Sequence, residues 1–535
     1  MKVRLLPHLA ALFATTAVAA PESGYDLVIR NARVLDGAGN PWVRADIAVQ
    51  DGRIARIGSV PGRGGREIDA AGRYVAPGFI DMMDQSGKSL LESGAAVNKL
   101  RMGVTTLIAG EAGTPVEAAA IPSYFSQLER QGIAVNFGTY YASHQARVKV
   151  MGDRAGRPSS EQLAAMEQEV ELAMRAGVFG ITSALMYAPS SHQSTDDLVR
   201  LARVAARCAG LYATHMRDES AGLLQAVDEA IAIGERSGAK VEIFHLKAAY
   251  APGWGRLLPQ AIAAIQAART RGIDIAADVY PYTAAGTGLD IIVPKWVWAD
   301  GLEKGFERLG DPQVRATLKE ELKSASGNAL LAAAGNWENV VLARSYSRFA
   351  AYEGMNFAAI GKLLRRDPGD VVWDVILEAR PRRALALYFV MSEADVQLAL
   401  KQPWVSIGTD ASVVVSANGV DALGLPHPRA HGTFPRVIVE YVERRGVLTL
   451  EEAIRKMTSW PAQRMGINDR GLLRPGFRAD LVIFDLGKMQ DRATWTAPTE
   501  SPLGIDAVMV NGKEAIASAH PTGARNGMII RHSCD

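Results

Sequence analysis

The sequence contains Leu211-Tyr-Ala-Thr-His-Met-Arg217 and, one helical pattern later, Val241-Glu-Ile-Phe-His-Leu-Lys247. Both are short, apolar, β-prone runs, and strands that alternate with helices favour a parallel βα fold. A βα barrel places its chemistry at the C-terminal ends of its strands, where His215 and His245 stand. A single histidine in such a run is more often a core residue, but two on successive strand ends can converge on one metal ion. The pair therefore predicts a metal site at one face of a barrel.

Further strand-like stretches complete this pattern. They are residues 74–81, 105–110, 135–141, 180–185, 274–282 and 404–410. Eight strands with helices between them predict an α/β fold, a (β/α)₈ barrel of the TIM type. One of the helices is bounded by a capping box at Ser159 and Gln162 and by Gly177. The gap before the last strand is much longer than one crossover needs, which predicts an inserted subdomain over the active-site mouth.

Both ends of the chain have a β-rich texture that differs from the middle. Strand-like runs separated by glycine-rich turns occur at residues 25–30, 45–50 and 53–58, and again at 479–484 and 507–512. These runs predict one small β-sandwich built from both termini. The predicted division is a signal peptide at 1–20, a β-sandwich at 21–72 and 471–535, and a barrel at 73–470 with an insertion at about 285–400.

Composition excludes several classes of protein. A chain of 535 residues with 48% hydrophobic and 22% charged residues is an ordinary globular protein with a large core. A formal net charge of +2 and no run of basic residues give no reason to expect nucleic acid. Cys208 falls in a helical pattern and Cys534 near the end of the sequence, so we read no disulfide framework and no cysteine metal site from them.

The first twenty residues resemble a secretory signal. Lys2 and Arg4 precede an apolar run that ends in Ala17-Val-Ala-Ala20. This run is short and interrupted, which is unlike a membrane span. We therefore expect export to the periplasm or the medium, with cleavage near Ala20 and no stable membrane insertion.

Several motifs resemble the amidohydrolase superfamily and, within it, the N-acyl-D-amino-acid deacylases (D-aminoacylases). The motifs extend over residues 25–531 and lie at 76–81, 103–106, 180–189, 214–219, 244–247, 278–283, 391–393, 407–410, 427–435 and 471–480. Each motif is weak alone, but their number and order are specific. The resemblance implies a barrel with a β-sandwich, and hydrolysis of the amide of an N-acylated D-amino acid.

The sequence departs from the family pattern at the metal ligands. The two first-strand histidines of the superfamily are replaced by Met83 and Gln85, which are poor ligands for a divalent ion. The deacylases' cysteine ligand after the second strand corresponds to Ala112, which follows Glu111. Glu111 is a carboxylate at a strand end and is expected to ligate instead. Whether Gln85 also ligates stays open.

The expected inner shell is Glu111, His215 and His245 around one divalent metal ion, Zn²⁺, with an open position for water. Such a metal acidifies its water and polarises an amide carbonyl. Asp410, at the end of the last strand, is expected to accept the water proton and return it to the leaving amine. The alternative is that Asp410 only caps the following helix.

The carboxylate of an N-acyl amino acid calls for cations and hydroxyls in the pocket. Lys247 is expected on the same side of its strand as His245, and Tyr282 and Arg429 match family positions that contact substrate. Arg429 can grip a carboxylate bidentately. Salt bridges unrelated to substrate are the alternative for each. His144, His427 and His431 are not predicted as ligands.

Three functions fit the sequence. The first is a metal-dependent deacylase of N-acyl-D-amino acids, a hydrolase of linear amides. The second is a D-residue dipeptidase or a cyclic-amide hydrolase on the same fold. The third is a non-catalytic binding protein with a degraded metal site, which the joint retention of His215, His245, Lys247 and Asp410 opposes. The expected partner is a small molecule, an N-acylated amino acid or short peptide, and a homo-oligomer is left open.

Overall fold

The structure is a computed structural model of the chain and describes residues 24–153, 155–323, 329–415 and 425–534. The predicted signal at residues 1–20 lies outside the described residues. In the part of the chain that is described, no helix has the length and apolar character needed to cross a membrane.

Five strands open the described chain: β1 (Tyr25–Val34), β2 (Val43–Gln50), β3 (Arg53–Gly58), β4 (Gly64–Asp69) and β5 (Tyr74–Pro77). Between β2 and β3, Asp51 and Gly52 take φ angles of 52° and 72°. Asp-Gly is the sequence that two-residue hairpins favour, because both central residues need a positive φ.

The first seven barrel strands follow, the third of them interrupted at Tyr140. They are β6 (Phe79–Asp84), β7 (Val104–Ala109), β8 with β9 (Asn136–Thr139, Tyr141–Ala142), β10 (Gly180–Ala184), β11 (Leu211–His215), β12 (Lys240–Ile243) and β13 (Ile275–Val279). The helices among them are α1 (Ser89–Glu92), α2 (Val97–Arg101), α3 (Ile121–Gln131), α4 (Ser143–Met151), α5 (Ser160–Arg175), α6 (Thr195–Arg207), α7 (Leu223–Ser237) and α8 (Leu257–Thr270). The capping box predicted at the start of α5 is confirmed, since Ser159 and Gln162 exchange side-chain to backbone hydrogen bonds.

The chain then forms the predicted insertion, which spans residues 285–400 and is called the excursion below. Its strands are β14 (Ala285–Gly288), β15 (Val340–Arg344) and β16 (Leu385–Tyr388), and its helices are α9 (Leu302–Gly310), α10 (Pro312–Lys323), α11 (Ala329–Ala334), α12 (Phe357–Leu364), α13 (Pro368–Glu378) and α14 (Glu393–Leu400). The three strands form an antiparallel sheet in the order β14-β16-β15. This subdomain has an apolar core of its own, with Leu342, Trp373 and Tyr388 fully buried.

The last barrel strand and the C-terminal elements complete the fold. They are β17 (Val405–Ile407), α15 (Arg429–Arg436), which continues as a π-helix over Val437–Arg444, α16 (Leu450–Met457), α17 (Ser459–Met465), β18 (Leu481–Phe484), β19 (Ile505–Val510), β20 (Lys513–Ala517) and β21 (His520–Pro521).

Strands from both ends of the chain form one nine-stranded sheet. Its order is β21-β20-β19-β18-β5-β1-β2-β3, with β4 beside β1. The antiparallel pair of β5 and β18 joins the N-terminal and C-terminal parts. Apolar side chains from both parts, among them Ile29 and Leu481, form the buried core of this region.

The barrel is closed by hydrogen bonds between two parallel sheets. One sheet is β6-β7-β8 and the other is β9-β10-β11-β12-β13-β17. Phe179 N–H donates to Thr139 O at 2.9 Å on one side, and Asp410 N–H donates to Met83 O at 2.8 Å on the other. The predicted α/β barrel is thereby confirmed, and the C-terminal ends of its strands face one cavity.

One strand boundary was predicted wrongly. The run at residues 74–81 divides at Gly78: β5 belongs to the terminal sheet and β6 to the barrel. A Cβ at Gly78 would lie 2.2 Å from the Thr105 side-chain oxygen, so the chain passes close to β7 here. The alternation of apolar residues continues across this point, and the sequence pattern does not register the change of partner strand.

The two cysteines form a disulfide, contrary to the sequence reading. Cys208, at the end of α6, is bonded to Cys534 across 326 residues of sequence. The C-terminal segment returns along the barrel, where Ile530 N–H donates to Phe137 O at 2.8 Å and His532 N–H to Gly177 O at 2.9 Å. Cysteine spacing carries no information about such a return, which is why the pairing was missed.

Candidate active site

A cavity of about 500 Å³ lies at the C-terminal ends of the barrel strands. Its floor is formed by side chains from β6, β7, β11, β12 and β17 or the residues that follow them, and its rim by the excursion. The excursion contributes Gly286, Thr287 and Arg383 to the rim. The predicted subdomain thus covers the mouth of the site.

Glu111, His215 and His245 converge on the floor. Glu111 Oε1 is 2.7 Å from His215 Nδ1 and 4.0 Å from His245 Nε2. One ligand atom from each residue lies within 4.8 Å of the other two, and both histidines are buried. The strands explain this arrangement: His215 ends β11, and His245 follows β12 with a φ of 39°, which turns it into the cavity.

The contacts of these three residues fit a shared metal ion. Neither ring nitrogen of His215 has a hydrogen-bond partner among the described residues, although Glu111 Oε1 is within contact distance of Nδ1. Buried polar atoms are almost always hydrogen-bonded, so an unpartnered buried imidazole beside a carboxylate calls for a ligand. Two imidazole nitrogens and one carboxylate oxygen are a donor set that suits Zn²⁺.

The charges around Glu111 keep it ionised. Burial alone would raise its pKa, but His215, His245 and the Gln85 amide lower the pKa of Glu111 to about 2. Burial would likewise lower the pKa of His215, but Glu219 and Glu111 raise it. The site therefore offers a negatively charged oxygen to a cation throughout the neutral pH range.

Glu219 belongs to the site and was not assigned a role from the sequence. It faces the ring nitrogen of each histidine that points away from Glu111: His245 Nδ1 lies 2.9 Å from Oε1, and His215 Nε2 lies 3.7 Å from Oε2. A carboxylate behind a ligating histidine fixes its ring orientation and tautomer. Its position in the motif, four residues after His215, was the available signal.

Lys247 is in the cavity, but not for the reason predicted. The strand β12 ends at Ile243, so alternation along a strand does not reach Lys247. Its Nζ instead forms an ion pair with Glu219 at 2.6 Å and lies 2.7 Å from His245 Nδ1. Despite burial, which would raise it, Lys247 and the two histidines lower the pKa of Glu219. Glu219 thus links Lys247 to the histidines.

Asp410 and Arg429 form the opposite side of the floor. Arg429 forms an ion pair with Asp410 Oδ2 at 2.8 Å, and its guanidinium lies 4.8 Å above the ring of Tyr280. The other oxygen of Asp410 accepts a hydrogen bond from Gln85 Nε2 at 3.1 Å. Asp410 follows β17 and has a φ of 47°, so it leaves the strand before any helix begins. Among the helices that the structure describes, none has Asp410 as its N-cap.

The two replaced first-strand positions differ in their surroundings. Gln85 lies on the cavity floor, where its Nε2 also donates to Glu111 Oε2 at 2.7 Å. Met83 is buried in an apolar cluster with Ile80 and Ile108. Met83 is thus away from the cavity, whereas Gln85 faces it with an amide.

Tyr282, which was predicted to contact the substrate, does not line this cavity. Its hydroxyl points to Pro428 O at 3.4 Å, and its ring packs against Trp495 at 5.8 Å. After β13 the chain turns tightly, with Tyr282 N–H donating to Tyr280 O at 2.9 Å, so residues two apart no longer share a side. Tyr280 lines the cavity instead, under both Lys247 and Arg429.

The sequence of this chain is similar to that of known proteins. A family model described as the amidohydrolase family matches residues 360–516. An N-acyl-D-glutamate deacylase of Alcaligenes xylosoxydans xylosoxydans is 32% identical over 527 residues, which cover 95% of this chain and 96% of that protein.

Two solved structures are similar over nearly the whole fold. One is an N-acyl-D-glutamate deacylase from Bordetella bronchiseptica complexed with zinc and a phosphonate mimic of the tetrahedral intermediate. It has a TM-score of 0.79 and 30% identity, and the match covers 95% of this chain and 100% of that one. The other is a D-aminoacylase with a binuclear metal centre, for which one-metal activation and second-metal attenuation are described. It has a TM-score of 0.78 and 28% identity, with the same coverage.

Proposed function

This chain belongs to the amidohydrolase family, in the branch of the N-acyl-D-amino-acid deacylases, and from that membership we propose that it releases the acyl group from N-acyl-D-amino acids with one divalent metal ion, Zn²⁺. The observation that carries the proposal is the convergence of His215, His245 and Glu111 with both nitrogens of His215 unpartnered. A bound divalent ion supplies a Lewis acid that polarises a carbonyl and acidifies water.

The charges on the floor suit a substrate that carries a carboxylate. Three carboxylates face two cationic side chains: Glu111, Glu219 and Asp410 against Lys247 and Arg429. The floor therefore has one net negative charge by itself and one net positive charge with a divalent ion. A positive cavity of about 500 Å³ attracts and can hold an anion such as an N-acyl amino acid.

Arg429 and Lys247 are the residues that bind the substrate carboxylate in this proposal. Both lie against the face of Tyr280, with the Arg429 guanidinium at 4.8 Å and Lys247 Nζ at 5.8 Å. Burial raises the pKa of Tyr280, so its hydroxyl stays neutral and can donate a hydrogen bond. The tyrosine thus positions two cations at one wall of the cavity.

Asp410 moves the proton. It faces the cavity from the side opposite to His215 and His245, with one oxygen held by Gln85 and the other by Arg429. We assign it to take a proton from the attacking water and to give it to the nitrogen of the leaving amino acid. Glu219 keeps the two histidines oriented during this exchange.

The composition of the floor supports the proposal of a single metal ion. The positions of the superfamily's other two histidines hold Met83, which is buried away from the cavity, and Gln85, whose amide nitrogen is already engaged by two carboxylates. Three protein ligands with an open position are the usual set for one catalytic zinc ion.

The proposal is tested by a substrate screen with metal removal. Purified protein freed of metal by chelation is incubated with N-acetyl-D- and N-acetyl-L-amino acids, D-residue dipeptides and hydantoins, with and without one equivalent of Zn²⁺. We expect release of the free amino acid from the D-series only, and only with zinc. Equal rates with the L-series, or activity confined to dipeptides or cyclic amides, would refute it.

We also propose export to an oxidising compartment. The signal-like composition of residues 1–20 and the bond between Cys208 and Cys534 support this, since disulfides persist outside the cytosol. Sequencing the N-terminus of protein from the native host is the test. An intact Met1 on protein with reduced cysteines would contradict export.

A further inference from the structure

The amide of Gln85 lies between two carboxylates of the active site. Its Nε2 donates to Glu111 Oε2 at 2.7 Å and to Asp410 Oδ1 at 3.1 Å. A primary amide nitrogen carries two hydrogens, so each carboxylate receives one of them and none remains. Two like charges on one floor are thereby joined by a neutral group.

The place of this amide is fixed by the backbone. Gln85 follows β6 and Asp410 follows β17, and these strand ends are adjacent: Gln85 N–H donates to Ala411 O at 3.3 Å and Asp410 N–H to Met83 O at 2.8 Å. Beneath them the ammonium of Lys99, fully buried, contacts Asp81 at 2.8 Å and Asp84 at 2.7 Å. The backbone segments that carry Gln85 and Asp410 are therefore held side by side.

The amide of Gln85 lies between the carboxylates of Glu111 and Asp410, where a second cation would otherwise lie. The related D-aminoacylase has a binuclear centre in which a second metal attenuates activity. Here the hydrogens of Gln85 meet the oxygens of Glu111 and Asp410 that a second cation would bind. A divalent ion could enter only by displacing both hydrogen bonds.

We propose that Gln85 is a positioning residue that replaces a second metal ion, holding Glu111 and Asp410 in place and keeping the site mononuclear. The inference rests on the proposed function for its kinetic readout only. It explains how the chain can lose two metal ligands and keep the remaining site ordered. It also means that excess metal has no second site through which to lower activity.

The decisive variant is Gln85→Glu, which exchanges one NH₂ group for an oxygen. The new carboxylate lies beside Glu111 and Asp410 with no hydrogen to share, so the three oxygens form a site for a second divalent ion. We expect two equivalents of bound Zn²⁺ by elemental analysis at high zinc, against one in the wild type. Activity should fall as zinc rises in the variant and stay level in the wild type.

Two further variants complete the test. Gln85→Met has similar length and no donors, so it should keep one zinc and lose about 10–100-fold in kcat, as for other residues that orient metal ligands. Gln266→Glu adds the same charge on an exposed part of α8 and should match the wild type in zinc content and kcat. Thermal unfolding of each zinc-loaded protein shows whether it is folded.

The outcomes separate the two proposals. Two zinc equivalents in the wild type, or one equivalent in Gln85→Glu with wild-type kcat in Gln85→Met, would overturn the role of Gln85. If the wild type hydrolyses no N-acyl-D-amino acid, the proposed function fails, while the zinc content of Gln85→Glu still decides the inference.

Discussion

The two sides of the cavity floor are both crowded with polar groups, yet their contacts differ in kind. On the metal side, defined as Glu111, His215 and His245, Glu111 Oε1 lies 2.7 Å from His215 Nδ1, and among the described residues no cationic side chain stands between the carboxylate and the two imidazoles. On the proton side, defined as Gln85, Asp410 and Arg429, each close pair joins a donor to an acceptor. A buried carboxylate and imidazoles without a cationic side chain between them call for a cation, whereas the proton side already contains the guanidinium of Arg429. This difference is the reason why we propose metal binding for one side and proton transfer for the other.

Removing a ligand from the metal side should have the largest effect. His215→Ala or His245→Ala leaves an incomplete site, and we expect most of the zinc to be lost. Activity should fall by at least about 10³-fold, because Lewis-acid stabilisation of several kcal/mol corresponds to about tenfold per 1.4 kcal/mol. Zinc content and kcat/KM are measured together, with His520→Ala on the exposed end of the terminal sheet as the control. A histidine variant that retains both zinc and activity would show that the metal side does not bind the catalytic metal ion.

On the proton side, Asp410→Asn should lower kcat by about 10²–10⁴-fold, the usual contribution of general acid–base catalysis. Asparagine keeps an oxygen for the Gln85 amide but cannot take a proton at neutral pH. Zinc content should stay near one equivalent and KM should change little. Near-normal turnover would contradict the role of Asp410 as proton carrier. Loss of zinc would show that Asp410 contributes to metal binding.

Glu219→Gln tests the support behind the metal side. The amide keeps an oxygen near His245 Nδ1 but has no negative charge, so it loses the ion pair with Lys247. We expect a 10–100-fold loss of zinc affinity or activity, typical of groups that orient metal ligands. Competition for zinc with a chromogenic chelator measures the affinity. Glu235→Gln, exposed on α7, is the matched control and should bind zinc as the wild type does.

The smallest effect should come from a buried carboxylate that is paired with an arginine side chain, and it should concern stability alone. Glu242 lies inside the barrel, 3.2 Å from Arg464, and burial raises its pKa to about 7 in spite of that partner. Between its ordinary value of 4.5 and about 7 the folded protein therefore holds a proton that the unfolded chain has lost. The free energy of unfolding should decrease as pH rises through this window, by at most about 3 kcal/mol.

Glu242→Gln removes that proton exchange. Relative to the wild type, the variant should gain stability between pH 5 and pH 8, with zinc content and kcat unchanged. Urea unfolding at the two pH values is the measurement. If the free energy of unfolding changes equally with pH in both proteins, Glu242 does not titrate in this range.

Local patterns were enough to predict the barrel and to place His215 and His245 at the ends of successive strands. Glu111 was predicted from the family resemblance, because it precedes Ala112 at the position of the deacylases' cysteine ligand. The proton side depends on which strands are neighbours: Gln85 and Asp410 meet only because β6 and β17 close the barrel. Tyr282 was predicted from its match to a family position, and the tight turn after β13 places Tyr280 at the cavity instead.

The bond between Cys208 and Cys534 makes most of the C-terminal half of the molecule a covalent ring. The ring includes β11, β12 and β17, together with the excursion over the cavity mouth. A protease that cuts one peptide bond anywhere within it cannot separate the pieces. Such a nicked molecule should migrate as one band without reductant and as two with it, and both strand ends that carry the histidines stay tethered to the same frame.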